Sequence, residues 1–365
     1  MNLPLLSIIV PTRSSEPHIN RTLINLLKSP DQRFEVVLND NSYPDVIDYS
    51  EFLNDSRFKL FTNDSYFTMS ENFLLGLKHS QGKWVCFAGS DDGVVDKNIT
   101  IFLDFLEQCP SMAITTIGLY FQELIGEELP WLTQPINKSK LFSKSIKFHP
   151  FLSAFFPQLE FDLPRPYNKA VVRKQVFDDY LPFWTRIPGM SHDQFLAQFI
   201  AQKVKSGIYF DLAVFISGGS GRSNGHQINS SLEKTQNSFS LDSIPYIGNC
   251  VKKFGMSCRP ALTMDHFIAA RKILGKRNFF PPLFTLYLWC FLTCVDFGHH
   301  RNLFYVNTYR LRKISVEFFA YGLRKVLNLW TFGSVQPTKT LRFEMPLDSN
   351  ILDASAIFTK IDCSD

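Results

Sequence analysis

Two glycine signatures of nucleotide binding are missing from this chain. No G-x-G-x-x-G turn follows the first strand candidate, Leu5 to Val10, and no glycine-rich loop there ends in a lysine, which disfavours a Rossmann dinucleotide site and a P-loop. Cysteine is scarce as well. The seven in 365 residues include no Cys-x-x-Cys pair, and an odd count fits a disulfide framework badly, so reduced and mostly buried thiols are expected. Charge of one sign is barely in excess, at +4, too little to argue for nucleic acid but compatible with an anionic substrate or membrane surface. The apolar run Leu283 to Phe297 falls short of the roughly 20 residues that a bilayer-spanning helix needs. No basic leader precedes the first strand, so the expected location is cytoplasmic, at the inner face of the cell membrane if the C-terminal helices touch lipid.

What is present is globular. A hydrophobic fraction of 45% and a charged fraction of 20% support a packed core, and the length suits about two domains. Leu5 to Val10 is a short apolar, partly β-branched run, as a buried parallel strand would be. Ile19, Leu23, Leu26 and Leu27 then recur at helical spacing, and Phe34 to Leu38 reads as a second strand. Arg57 to Phe61 alternates as a more exposed third strand. Thr68 and Glu71 form a capping-box signature for a helix that stops at Gln81-Gly82. After the strand Trp84 to Ala88, Asp96 is placed to cap another helix, and Ala113 to Tyr120 gives a further strand. The strand–helix alternation predicts an α/β doubly wound sheet, with ligands at the carboxyl ends of its strands.

Those ends carry Pro11-Thr12-Arg13, Asp40-Asn41-Ser42 and Ser90-Asp91-Asp92. Two adjacent carboxylates raise one another's pKa unless a cation shares them, so a divalent ion is the natural partner of Asp91 and Asp92, although a plain polar turn would use the same residues. Residues 123 to 166 are proline-rich, as loops and short helices shaping a second-substrate pocket would be. Lys169 to Arg173 looks like a returning strand. The helix beginning His192-Asp193 holds an acid in its first turn, and Gly207 to Ile216 reads as strand before the glycine-rich stretch Ser217 to His226. Arg222 and His226 there are candidates for gripping a diphosphate, with a surface loop as the alternative. Beyond Ile244 the pattern is helical, with Leu283 to Phe297 either buried or lying in a membrane surface. The stretch from Gly333 reads as a poorly ordered tail.

Four segments resemble the family 2 glycosyltransferases in order and spacing: Leu6 to Thr12; Phe34 to Ser42; Asn72 to Leu77 with Gly82-Lys83-Trp84; and Phe87 to Gly93. The resemblance implies a GT-A fold, a doubly wound mixed sheet with a C-terminal helical appendage. It implies a glycosyltransferase domain over 1–240 (a nucleotide-binding half to 120, then an acceptor-side half), a helical region over 241–332 and a tail over 333–365. It also implies an inverting, metal-dependent transfer from a nucleotide-sugar donor, UDP-linked, to a glycan or lipid-linked acceptor in bacterial-type surface polysaccharide synthesis. By that resemblance Pro11, Thr12, Arg13 and Asn72 line the donor pocket, Asp40 accepts from the base, Asp91 lies near the ribose and Asp92 holds Mn²⁺ or Mg²⁺. Asp193 stands where the family has its catalytic base, with His192 replacing the usual Glu. That replacement leaves open a catalytically inactive scaffold of a membrane polysaccharide-assembly complex. A nucleotidyltransferase is disfavoured by the absent basic, glycine-rich N-terminal loop.

Overall fold

The computed structural model describes residues 3–13, 18–45, 47–65, 67–123, 131–135, 143–155, 163–167, 169–182, 192–219, 259–276, 340–345 and 350–361. Strands β1 (Leu6–Thr12), β2 (Phe34–Asp40), β3 (Phe58–Thr62) and β4 (Trp84–Phe87) form the parallel half of one sheet. Helices α1 (His18–Leu27) and α2 (Met69–His79) make the crossovers, and α3 (Asp96–Gln108) follows. β1 and β2 have almost no solvent on either face, which is why they read as unbroken apolar runs rather than as alternation. The capping box at Thr68 is formed: its hydroxyl accepts from the Glu71 amide while the Glu71 side chain accepts from the Thr68 amide.

The other half of the sheet is mixed. β9 (Ala170–Arg173) enters antiparallel between β4 and β6 (Ala113–Gln122), so the returning strand predicted at Lys169 closes the gap between them. β10 (Ser206–Gly219) runs parallel to β6 with two register shifts, and pairs antiparallel with β5 (Gly93–Val94) and β8 (Ser143–Lys147). β7 (Trp131–Pro135) extends the sheet from β6. The short helix α4 (Pro150–Phe155) precedes α5 (His192–Val204), and α6 (Arg259–Ile273) packs on both.

Four expectations change. Val95, not Asp96, is the N-cap of α3, because the Val95 amide is bound to the Val214 carbonyl and holds that residue extended against β10. Asp96 falls in the first turn, where its charge still suits the helix dipole. β8 lies inside the stretch read as loops; only Ile146 of its five residues is buried, so this edge strand has no alternation to display. Ser217, Gly218 and Gly219 belong to β10 rather than to a loop. Last, residues 340–345 and 350–361 belong to the fold rather than to a poorly ordered tail. β11 (Thr340–Glu344) pairs with β7, and α7 (Ile351–Ile361) packs on α1, β5 and α3. Ile351 and Ala354 are buried in that contact, and the Ser355 hydroxyl donates to the Val94 carbonyl at 2.9 Å.

The two thiols described, Cys86 and Cys109, are free and buried, and burial pushes both thiols up, so neither is a nucleophile. No helix among the described residues is long and apolar enough to cross a membrane. Leu283 to Phe297 lies outside the described residues.

Candidate active site

The carboxyl ends of β1 and β2 are tied side by side. Thr12 is in register with Asp40, and the Thr12 carbonyl accepts from the Asn41 amide at 3.0 Å and from Asn72 Nδ2 at 3.2 Å. Asn72 comes from α2 and is 4% exposed; its Oδ1 accepts from Asn39 in turn. Asn72 is therefore a buried clamp between α2 and the strand ends. Asp40 is buried, with Oδ1 accepting from the Ser42 amide at 3.0 Å and from its hydroxyl, a turn that fixes the carboxylate at the strand tip. Pro11 is partly buried and Arg13 exposed at the same edge.

The acidic loop after β4 is held from below by α1. Thr22 Oγ1 donates to the carbonyls of Ser90 and Asp92 at 2.9 and 2.8 Å, and Asn25 Oδ1 accepts from the Val94 amide at 2.6 Å. Both side chains sit on the buried face of α1, between Ile19, Leu23 and Leu26. That burial is affordable only because each meets a backbone partner. Sequence reasoning missed them. Their signal was a polar residue at i+3 and i+6 from Ile19 on an otherwise apolar helical face.

Asp92 is 1% exposed. Its Oδ2 accepts from the Gly89 amide across the turn and its Oδ1 from the Gly218 amide of β10 at 2.7 Å. One carboxylate thus clasps the loop to the far strand with charge-assisted hydrogen bonds. Asp91 is partly exposed beside it, and its Oδ1 and Asp92 Oδ2 both flank the α-carbon of Gly89. Gly89 is needed there. A Cβ would stand 2.4 Å from the Tyr167 hydroxyl and 2.8 Å from Asp92 Oδ2.

Tyr167 completes the site. It follows the proline-rich stretch, bridges Phe87 of β4 and stacks on Phe73 of α2 with ring centroids 6.1 Å apart. Burial, and then the charges of Asp92, Asp91 and Asp193, push its phenol well above the ordinary range. Those three carboxylates therefore share one neighbourhood, with Tyr167 a neutral hydroxyl among them. Tyr120 on β6 feels Asp91 and Asp92 in the same way. Neither tyrosine carries a recognisable sequence motif. Asp193, partly exposed in the first turn of α5, is raised from 3.8 by burial, against the opposing pull of the Arg165 guanidinium.

The structure therefore gathers Asp91, Asp92 and Asp193 around Tyr167, and sets Pro11, Thr12 and Asp40 side by side at the carboxyl ends of β1 and β2, with Asn72 bonded to the Thr12 carbonyl. Arg222 and His226 lie outside the described residues. A divalent ion finds no cage of three or more His, Cys, Asp or Glu among the described residues. It would find two adjacent carboxylates, and a carboxylate accepting two backbone bonds keeps further lone pairs. Mg²⁺ and Mn²⁺ sites of this kind take their other ligands from water and substrate phosphates, so the donor set fits.

The family model for Glycosyl transferase family 2 matches residues 7–163, the stretch that supplies β1, β2, the acidic loop and Leu163 beside the Tyr167 segment. An uncharacterized glycosyltransferase of Haemophilus influenzae is 30% identical over 139 residues, which are 36% of this chain and 54% of that protein. The chain thus spans about half the length of this curated relative. Crystal structures of S. aureus TarS 1–349 are similar at 16% identity and a TM-score of 0.40, over 76% of this chain and 93% of that one. The TarS structure in complex with UDP-GlcNAc gives 14% identity and a TM-score of 0.41 over the same shares. Residues 7–163, on a mixed α/β sheet, are thus similar to the family 2 glycosyltransferases.

Proposed function

We propose that this protein is an inverting glycosyltransferase that moves a sugar from a nucleotide-sugar donor, UDP-linked, to a hydroxyl of a glycan or lipid-linked acceptor in bacterial-type surface polysaccharide synthesis. The observation that carries the reading is the gathering of Asp91, Asp92 and Asp193 around Tyr167 at the carboxyl edge of the sheet. Pro11, Thr12 and Asp40 would receive the nucleoside; with Oδ1 of Asp40 held by Ser42, its other oxygen is the one to meet the base. Asp91 and the remaining lone pairs of Asp92 would hold Mn²⁺ or Mg²⁺, which supplies neutralisation of the charge that gathers on a departing diphosphate. This revises the expected split of roles, because Asp92 is already committed to two backbone amides and Asp91 is the more exposed acid.

Asp193 acts as the general base. As the acceptor oxygen bonds to the anomeric carbon and the bond to the diphosphate oxygen breaks, the acceptor proton passes to the Asp193 carboxylate. A carboxyl raised by burial is a stronger base once ionised, which suits proton abstraction near neutral pH. A single displacement inverts the anomeric centre. The neutral Tyr167 hydroxyl lies within the field of the base and of the acidic pair, where it can donate to a sugar or phosphate oxygen.

Arg165 sets where the base titrates. Its guanidinium favours the charged form of Asp193, so Arg165→Ala raises that carboxyl further, and the acid limb of the pH–rate profile moves to higher pH with the plateau rate kept. A pH–rate series on both proteins checks the sign.

His192 in place of the family's Glu favours a second reading, a scaffold that binds donor without turning it over. The experiment that separates the two is UDP release from a panel of UDP-sugars with Mn²⁺. Release from one member above the buffer rate supports the transferase; donor binding with no release from any member supports the scaffold. Contact with the inner face of a membrane through 241–332 belongs to the same proposal and is read by co-sedimentation with vesicles.

A further inference from the structure

The acidic loop offers two carboxylates, and the fold sets a third oxygen beside them. The Tyr167 hydroxyl, Asp92 Oδ2 and Asp91 Oδ1 lie 2.4, 2.8 and 3.0 Å from one point, the place where a side chain on Gly89 would begin. Glycine leaves that point open. No two of the three oxygens can therefore be more than about 6 Å apart, yet the hydroxyl makes no hydrogen bond to either carboxylate. A phenol this near an anion ordinarily donates to it. Oxygens that converge without bonding suit a hydrated cation, because an ion–oxygen bond of about 2.1 Å and a water hydrogen bond of about 2.8 Å have to fit between them.

The hydroxyl is fixed in that place by packing. Its ring stacks on Phe73 with centroids 6.1 Å apart, and Phe73 lies 4.9 Å from Phe87, both of them buried. The backbone is pinned as well. The Phe87 amide donates to the Pro166 carbonyl at 2.6 Å, and Tyr167 itself bridges Phe87 at the end of β4, directly ahead of the acidic loop. A group held in this way is preorganised rather than free to swing in from solvent.

We propose that Tyr167 is a positioning residue for the ion: Asp91 and Asp92 bind it, and the Tyr167 oxygen accepts a hydrogen bond from a water that the ion carries. This rests on the reading of the acidic pair as the Mn²⁺ or Mg²⁺ site. A phenol is uncharged at neutral pH, so its oxygen supplies lone pairs without adding to the negative charge already there. Such ions keep several of their waters, and groups one water away set both the affinity and the direction of the open positions. The phenolic proton remains available to the sugar or phosphate.

The test is a Mn²⁺ titration of the full chain without nucleotide, read from the paramagnetic resonance of free Mn²⁺ and from the melting temperature. Tyr167→Phe weakens Mn²⁺ about tenfold, the low end of what partners one shell out contribute. In chelator it melts with the parent, because the ring and its stack on Phe73 are kept. Water-proton relaxation by the bound Mn²⁺ gives the same number of waters in both proteins, with faster exchange in the variant. Equal Mn²⁺ affinity in parent and variant overturns the proposal and leaves the acidic pair as the metal site. One more bound water in the variant also overturns it, since the phenol would then be a ligand itself. A variant that melts lower in chelator gives Tyr167 a structural part instead, against the proposal. A parent that binds no Mn²⁺ removes the metal reading and this proposal with it.

Discussion

Asp193→Asn lowers the transfer rate by about 10²–10⁴-fold, the range that a positioned general base contributes, and leaves nucleoside diphosphate binding intact. The substitution keeps the shape of the side chain and removes only the site that receives the proton. It also carries a stability signature of known sign. Burial raises the Asp193 carboxyl above its ordinary 3.8 in the folded chain, so between the unfolded and folded values the native state binds more protons. Stability contributed by this group therefore falls as pH rises through that window, and the ionised form is a cost to the fold at neutral pH. The Asn variant accordingly melts higher than the parent at pH 7, and the difference closes as pH falls below about 4, where both states of the parent are protonated. Slower transfer in a more stable protein marks a residue kept for chemistry. Unchanged transfer would move the base elsewhere, with Asp178 and Asp179 next to examine.

Gly218→Ala is the most damaging single methyl group the site can receive. An added Cβ would stand 1.7 Å from the Asp91 carbonyl oxygen and 2.5 Å from its carbon, and both are backbone atoms with no rotamer to yield. Either the end of β10 or the acidic loop has to move, and the 2.7 Å bond from the Gly218 amide to Asp92 is lost with it. Overpacking of this kind costs about 1–3 kcal/mol. Losing a hydrogen bond to a charged group adds about 1.5–3 kcal/mol. A displacement near 1 Å at a catalytic loop lowers the rate by about 10²-fold or more. Chemical denaturation and UDP release read the two effects separately. Gly118→Ala is the control: its nearest contact would be Lys169 Cδ at 3.6 Å, an ordinary van der Waals distance, so both stability and rate stay close to the parent.

The parallel half of the sheet was legible in the sequence because β1, β2 and β4 are buried on both faces, β3 alternates as a half-exposed strand does, and each helix shows its stripe or its cap. Leu6–Thr12, Phe34–Asp40 and the capping box at Thr68 all announce themselves locally. The acidic pair was legible for the same reason, as charge placed directly after a buried strand. What could not be read locally is whatever depends on a distant partner. Val95 is a helix cap only because β10 holds it extended, and β8 is a strand only because β10 offers it an edge. Tyr167 is an ordinary residue in the chain and becomes part of the site because the fold sets it within the field of Asp92, Asp91 and Asp193. The C-terminal helix did carry a signal that composition concealed. The Asn350 amide donates to Asp353 while Asn350 Oδ1 accepts from the Leu352 amide, a local helix start standing ahead of a stripe of Ile351 and Ala354. That helix covers β5, next to the acidic loop, so the end of the chain buttresses the site.

The two acids in that loop now have separable parts. Asp92 builds the loop, by tying Gly89 to Gly218, and Asp91 presents the more exposed carboxylate. Calorimetric titration of UDP into the full chain, with Mn²⁺ and with a chelator, tests that account most directly. Binding that requires the ion, and that Asp91→Asn weakens at least tenfold without lowering the melting temperature, is the predicted result. Binding that is the same with chelator as with Mn²⁺, or the same in Asp91→Asn as in the parent, would contradict it.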